Sequence, residues 1–137
     1  MECSICREDP GSHSFEKIHE TETMVYYYTC PGKASRYNDL EGIINHKRLE
    51  LSKLNGKSWC WIMDGKGFGL KHALEMGIGI GIVGLLLEFR VSKIYVTNRS
   101  AYVDVMRLFL NGLLSEELKS CIIYDDGIYE MLGIVKI

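Results

Sequence analysis

The sequence predicts an α/β domain, a mainly parallel sheet with crossover helices and an N-terminal β-hairpin. Three observations point there. Trp59 to Asp64, "WCWIMD", is nearly all apolar without strict alternation, which marks a strand covered on both faces, as in parallel sheets. Segments of helical periodicity alternate with such runs, which implies right-handed crossovers. Ahead of both, two strand-like runs flank a polar turn. The 137 residues, 47% apolar and 25% charged, suit one globular domain spanning 1–137. Within it, 1–30 form a cysteine and histidine segment with the hairpin, and 31–137 form the α/β core.

In chain order, "SFEKIH" and "MVYYYTC" around "ETET" form the hairpin, the second run being rich in tyrosine and β-branched residues. Pro31 and Gly32 end it. From Asp39, a candidate N-cap, Leu40, Ile43, Ile44, Leu51 and Leu54 recur at mostly helical spacing until Asn55-Gly56. After the Trp59–Asp64 strand, one helix is expected from Leu70 to Phe89, with a local break as the alternative. "KIYVTN" from Lys93 to Asn98 is a second buried strand. Ala101 to Leu114 is a greasy amphipathic helix capped by Ser100, with Tyr102, Val105, Met106, Phe109 and Leu113 on one stripe. A short turn of helix at Ser115 leads to the strand "CIIYDD", and the tail from Gly127 is left unassigned.

A net charge of -2 gives no general attraction to phosphate backbones, so nucleic acid is not an expected partner. Five cysteines, an odd number, and a polar start, "MECSICRED", suit a reduced, cytoplasmic protein. The longest apolar stretch, Gly77 to Leu87, is about eleven residues, where a membrane span needs about 20.

Gly79, Gly81 and Gly84 spell GxGxxG, but inside a helical pattern rather than between strand and helix, so a dinucleotide site is not expected. These glycines instead permit close helix packing. Asp64 and His72 could form an acid–base pair, yet an Asp before glycines is more often a turn residue, and no nucleophile elbow accompanies them. No enzyme is expected. Cys3 and Cys6 have zinc-like spacing and need two further ligands. With the hairpin turn at Glu20 to Thr23, His13 falls opposite Cys30, beside the cysteine pair, while His19 lies roughly 20 Å along the strand. The candidate set for one structural zinc is therefore Cys3, Cys6, His13 and Cys30; the alternative is an incidental cysteine pair on a frayed terminus. His46 and His72 are read as structural. The stripe from Tyr102 to Leu113 is core by default, although tyrosines and a soft Met106 also suit a ligand cavity.

The run "WCWIMDGKGFGLKH", a long apolar helix, "KIYVTN", and an amphipathic helix ending "LSEELKSCIIY" together resemble the CRAL-TRIO lipid-binding domains of the phosphatidylinositol-transfer and tocopherol-transfer class, over residues 24 to 125. The segment "YTCPGKASRYNDLEGIINHKRLEL" is similar to the lead-in of small stand-alone members. The resemblance implies a sheet floor under an apolar pocket gated by helix 100–114. It makes Asp64 and Gly67 turn-forming, Asn98 the turn into the gate, and Phe68, Tyr95, Tyr102, Val105, Met106, Phe109 and Leu113 the candidate lipid-binding residues. Lys33, Arg36, Lys66 and Lys71 are the candidate head-group partners. The implied function is non-catalytic binding and transfer of a lipid or other hydrophobic molecule, with peripheral membrane contact. The rival reading is a protein-interaction scaffold of the divergent type, with no cavity and a protein partner.

Overall fold

The computed structural model describes residues 3–133. The elements are α1 (Ser4–Glu8), β1 (Glu16–Glu20), β2 (Met24–Thr29), α2 (Leu40–Leu51), β3 (Ser58–Asp64), α3 (Leu70–Leu74), α4 (Met76–Glu88), β4 (Lys93–Thr97), α5 (Ala101–Leu110), α6 (Glu116–Cys121), β5 (Ile122–Tyr124) and α7 (Ile128–Leu132). The five strands lie in the order β1-β2-β3-β4-β5. β1 runs antiparallel to β2, and every later pair is parallel. Because each parallel connection reaches the adjacent strand, right-handed crossovers place α2, α4 and α5 on a single face.

Period-two alternation then sorts the strand residues. Tyr27, Trp61, Ile94 and Ile122 are in register across four strands, as are Thr29, Met63, Val96 and Tyr124, and both rows face the helices. The opposite face carries a smaller cluster of Ile62, Ile128 and Tyr129, with Tyr95 and Leu132 packed against it. The unassigned tail thus supplies α7, which covers that second face at Ile128 (0% exposed) and Tyr129 (1%).

Side-chain caps start the longer helices. Asp39 accepts the Gly42 N–H at α2, and Ser100 accepts the Val103 N–H at α5. The expected single helix from Leu70 to Phe89 is broken at Glu75, whose φ of -81° and ψ of 62° leave the helical region. Its two pieces pack differently: α3 lies toward α5, while α4 lies along α2 and also meets α5. The glycines of α4 cost about 1 kcal/mol each against alanine. Burying Ile78, Val83, Leu85 and Leu86 stabilises by about 1.5–3 kcal/mol each, which outweighs that cost. Two of the glycines are seats for neighbours. A Cβ on Gly81 would lie 3.0 Å from Ile44 Cδ1, and one on Gly79 3.1 Å from Leu110 Cδ1. Among the described residues, no helix is long and apolar enough to cross a membrane.

Candidate functional site

The N-terminal segment and α2 build a compact group of four side chains. Cys3 is the N-cap of α1 and Cys6 lies three residues on, so both thiols share one face. The Sγ atoms of Cys3 and Cys6 and the Nδ1 atoms of His13 and His46 all lie within 4.8 Å of one another. Cys3 Sγ is 3.5 Å and Cys6 Sγ 3.6 Å from His13 Nδ1, and Cys6 Sγ is 3.4 Å from His46 Nδ1. A tetrahedral zinc with Zn–S near 2.3 Å and Zn–N near 2.05 Å requires sulfur-to-nitrogen edges of about 3.5 Å. The observed edges match that figure, so these residues could hold a metal.

The outer partners of both imidazoles orient them. His13 Nε2 lies 2.8 Å from Asp39 Oδ2, and His46 Nε2 lies 2.9 Å from the Phe15 carbonyl oxygen. Each contact places the ring proton on Nε2 and leaves the Nδ1 lone pair facing the sulfurs, as metal-bound histidines require. The hydrogen bond from His13 holds the Asp39 carboxyl below its ordinary range. Burial pushes the Cys6 thiol up, reinforced by Cys3, and burial pulls His46 down. Gly42 is part of the construction, because a Cβ there would overlap Asp39 Oδ2 and lie 2.8 Å from His13 Cε1.

Cys3, Cys6 and His13 converge as the sequence predicts, whereas Cys30 does not join them. Cys30 is 1% exposed and its Sγ donates to the Lys66 carbonyl at 3.4 Å. The register explains the correction. The β1–β2 ladder begins only at Glu16 and is irregular between Lys17 and His19, so His13 lies outside it rather than opposite Cys30. The fourth place in the group is taken by His46, which the sequence reading treats as structural. The signal for it is the spacing Asp39, Gly42, His46, three and four residues apart and hence on one face of α2.

The second feature is an apolar cavity of about 130 Å³ between the sheet and its helices. The two strand rows, apart from Tyr27, form its floor, Ile82 and Leu86 of α4 its roof, and Val103, Met106 and Leu110 of α5 one side. Lys47 of α2 lines the opposite end and is 4% exposed. Burial pulls its ammonium down to about 7. Of the expected lining residues, Phe68 and Met106 face this space. Tyr95 sits on the other face of the sheet. Tyr102 (44% exposed), Val105 (42%), Phe109 (67%) and Leu113 (49%) point outward. The inward stripe of α5 is instead Val103, Met106, Leu110 and Leu114. With apolar residues nearly all round this helix, hydrophobic spacing alone does not choose between the stripes.

The expected head-group residues lie on exposed loops and the start of α3, and none lines the cavity. Arg36 approaches Asp9 at 3.8 Å, and Lys33 Nζ lies 5.9 Å from the Tyr28 ring centroid. Asp64 is fully buried and accepts from Tyr28 Oη at 2.6 Å, Asn98 Nδ2 at 2.8 Å and the Lys66 N–H at 2.9 Å. Asn98 itself takes φ of 50° at the turn into α5. His72 does not meet Asp64; its Nδ1 accepts the Gly69 N–H at 2.9 Å, and its ring stacks on Phe68. No protein-family model matches the chain, and no curated protein shows significant similarity to it.

Proposed function

We propose that the chain is a small CRAL-TRIO-like carrier that binds a hydrophobic ligand, a lipid or similar molecule, without transforming it, α5 acting as the gate. The observation that carries this reading is the apolar cavity, whose lining crosses the sheet from Thr29 on β2 to Tyr124 on β5. Four adjacent strands span three spacings, roughly 14 Å. A dry cavity of about 150 Å³ holds one benzene-sized molecule, so the closed form accepts part of an acyl chain and α5 must lift for the rest. Each buried methylene stabilises the complex by about 0.8 kcal/mol. Gentle purification, solvent extraction and mass spectrometry test the reading. A co-purifying hydrophobic ligand at a substantial fraction of one per chain supports it. An empty protein whose crystal structure has a filled interior overturns it.

Zinc is the metal proposed for the cysteine and histidine group, as a closed structural site of two thiolates and two imidazoles that ties the N-terminal segment to α2. Four protein ligands leave no open coordination position for chemistry. Elemental analysis should return one zinc per chain.

A second reading, a protein-interaction module, draws on the outer face of α5. Leu108 (76% exposed) and Phe109 (67%) stand out there, beside Leu74 of α3 (70%). On the carrier reading this face meets the membrane while the gate opens; on the scaffold reading it meets a protein. Vesicle co-sedimentation, lost on Leu108→Ser with Phe109→Ser, favours the first.

A further inference from the structure

We infer that the ligand carries a carboxylate, bound at the α2 end of the cavity by Lys47. This inference rests on the carrier reading and names the chemistry of its ligand. An ammonium has three N–H donors. Among the described residues, Lys47 Nζ has one hydrogen-bond acceptor, Thr29 Oγ1 at 3.4 Å, and no carboxylate partner. Its other neighbours are ring faces, Phe15 at 4.4 Å and Trp61 at 5.6 Å from the centroids. Stranding a cationic side chain in an apolar wall is costly unless an anion meets it. Protein packing has not supplied that anion, and the cavity brings a ligand to the same place.

Two hydroxyls of the cavity lining, one of them in contact with the amine, have protons to offer. Thr29 Oγ1 accepts from both Lys47 Nζ and, at 2.9 Å, Trp61 Nε1, so its own O–H is unspent. Ser14 Oγ accepts the Cys30 N–H at 2.8 Å and also lines the cavity. One amine and two hydroxyls suit the two oxygens of a singly charged carboxylate. A phosphate monoester, with about two charges, would want a further cation, and among the described residues Lys47 is the one cation at this end of the lining. The far end is unlike it: Arg107 is half-buried and donates to Tyr124 Oη. An acid would therefore lie with its head at α2 and its tail running over Trp61 and Ile94 toward Met106.

Calorimetric titration of the full zinc-loaded chain with octanoic acid and with 1-octanol at neutral pH tests this. These ligands share a tail and differ in the head. Octanoate is expected to bind about tenfold more tightly, a difference of about 1.4 kcal/mol. Lys47→Met should remove that preference while keeping octanol binding, and Lys53→Met, at an exposed lysine outside the lining, should leave it unchanged. Equal affinities in the unmodified protein, a requirement no folding defect can mimic, overturn the inference and leave the carrier reading standing. So does a preference that survives Lys47→Met or is lost on Lys53→Met. Failure of both ligands to bind, together with an empty purified protein, overturns the carrier reading and this inference with it.

Discussion

Gly42→Ala tests the cysteine and histidine centre because ordinary helix physics predicts the opposite sign. Replacing an interior helical glycine by alanine stabilises by up to about 1 kcal/mol. At Gly42 the new Cβ would overlap Asp39 Oδ2, a contact that forces the carboxylate away. Moving Asp39 removes the cap on α2, worth about 1 kcal/mol. It also removes the hydrogen bond to His13 Nε2, worth about 1.5–3 kcal/mol for a charged partner. The balance is a net loss of about 2 kcal/mol, or roughly 8 °C in melting temperature for a chain of this size. Loss of the outer partner should also weaken zinc binding about 10–100-fold.

Gly84→Ala is the internal control. Gly84 lies exposed within α4 with nothing within 4 Å of its would-be Cβ, so alanine there should raise the melting temperature by a few degrees, about 1 kcal/mol. The assay is thermal unfolding of both zinc-loaded variants, with zinc affinity measured by competition against a chromophoric chelator. If Gly42→Ala melts higher than the parent and keeps its zinc affinity, the account of Asp39 as the support of His13 is wrong.

Burial, reinforced by the nearby Lys71 charge, holds the His72 imidazole below its ordinary range. Below about pH 6.5 the unfolded chain then binds more protons than the folded one, so stability is intact above that pH and falls beneath it. His72→Asn, which keeps an acceptor for the Gly69 N–H, should flatten the decline relative to the parent in urea titrations at pH 7.5 and 5.5. At Asp64 burial alone would raise the carboxyl, but hydrogen bonds from Tyr28, Asn98 and Lys66 outweigh it and hold it low. Asp64→Asn should cost about 3 kcal/mol by urea unfolding, without changing which ligand co-purifies; a stable variant would sink the architectural role. Met106→Trp should fill the cavity at a cost of about 1–3 kcal/mol and abolish ligand content by extraction and mass spectrometry, whereas undiminished content would place the ligand elsewhere.

Legibility in the sequence depends on whether one residue pattern has one physical solution. "WCWIMD" reads as a doubly covered strand, and β3 lies at the centre of the five-stranded sheet. Asp39 and Ser100 read as caps and serve as caps. The stripe on α5 is misread from the sequence because Tyr102, Val105 and Phe109 recur at nearly the same period as Val103, Met106 and Leu110, and only the neighbouring strands break the tie. The cysteine and histidine group is three-quarters legible. Its cysteines are local, but the fourth member requires knowing that α2, rather than the end of β2, passes beside α1. At the turn Glu20 pairs with Val25 rather than with Thr23, a two-residue shift that leaves the alternation of faces unchanged and so does not show in the hydrophobic pattern.

His46 and Lys47 are consecutive on α2, and this adjacency joins the two features of the molecule. Successive helical residues point about 100° apart, so a helix that turns His46 toward the thiols must turn Lys47 to a neighbouring face. Here that face is the cavity. Phe15 strengthens the link, since its carbonyl accepts from His46 while its ring lies 4.4 Å from Lys47 Nζ. Any rotation of α2 about its axis that moves His46 against the thiols therefore also moves the Lys47 amine within the cavity wall.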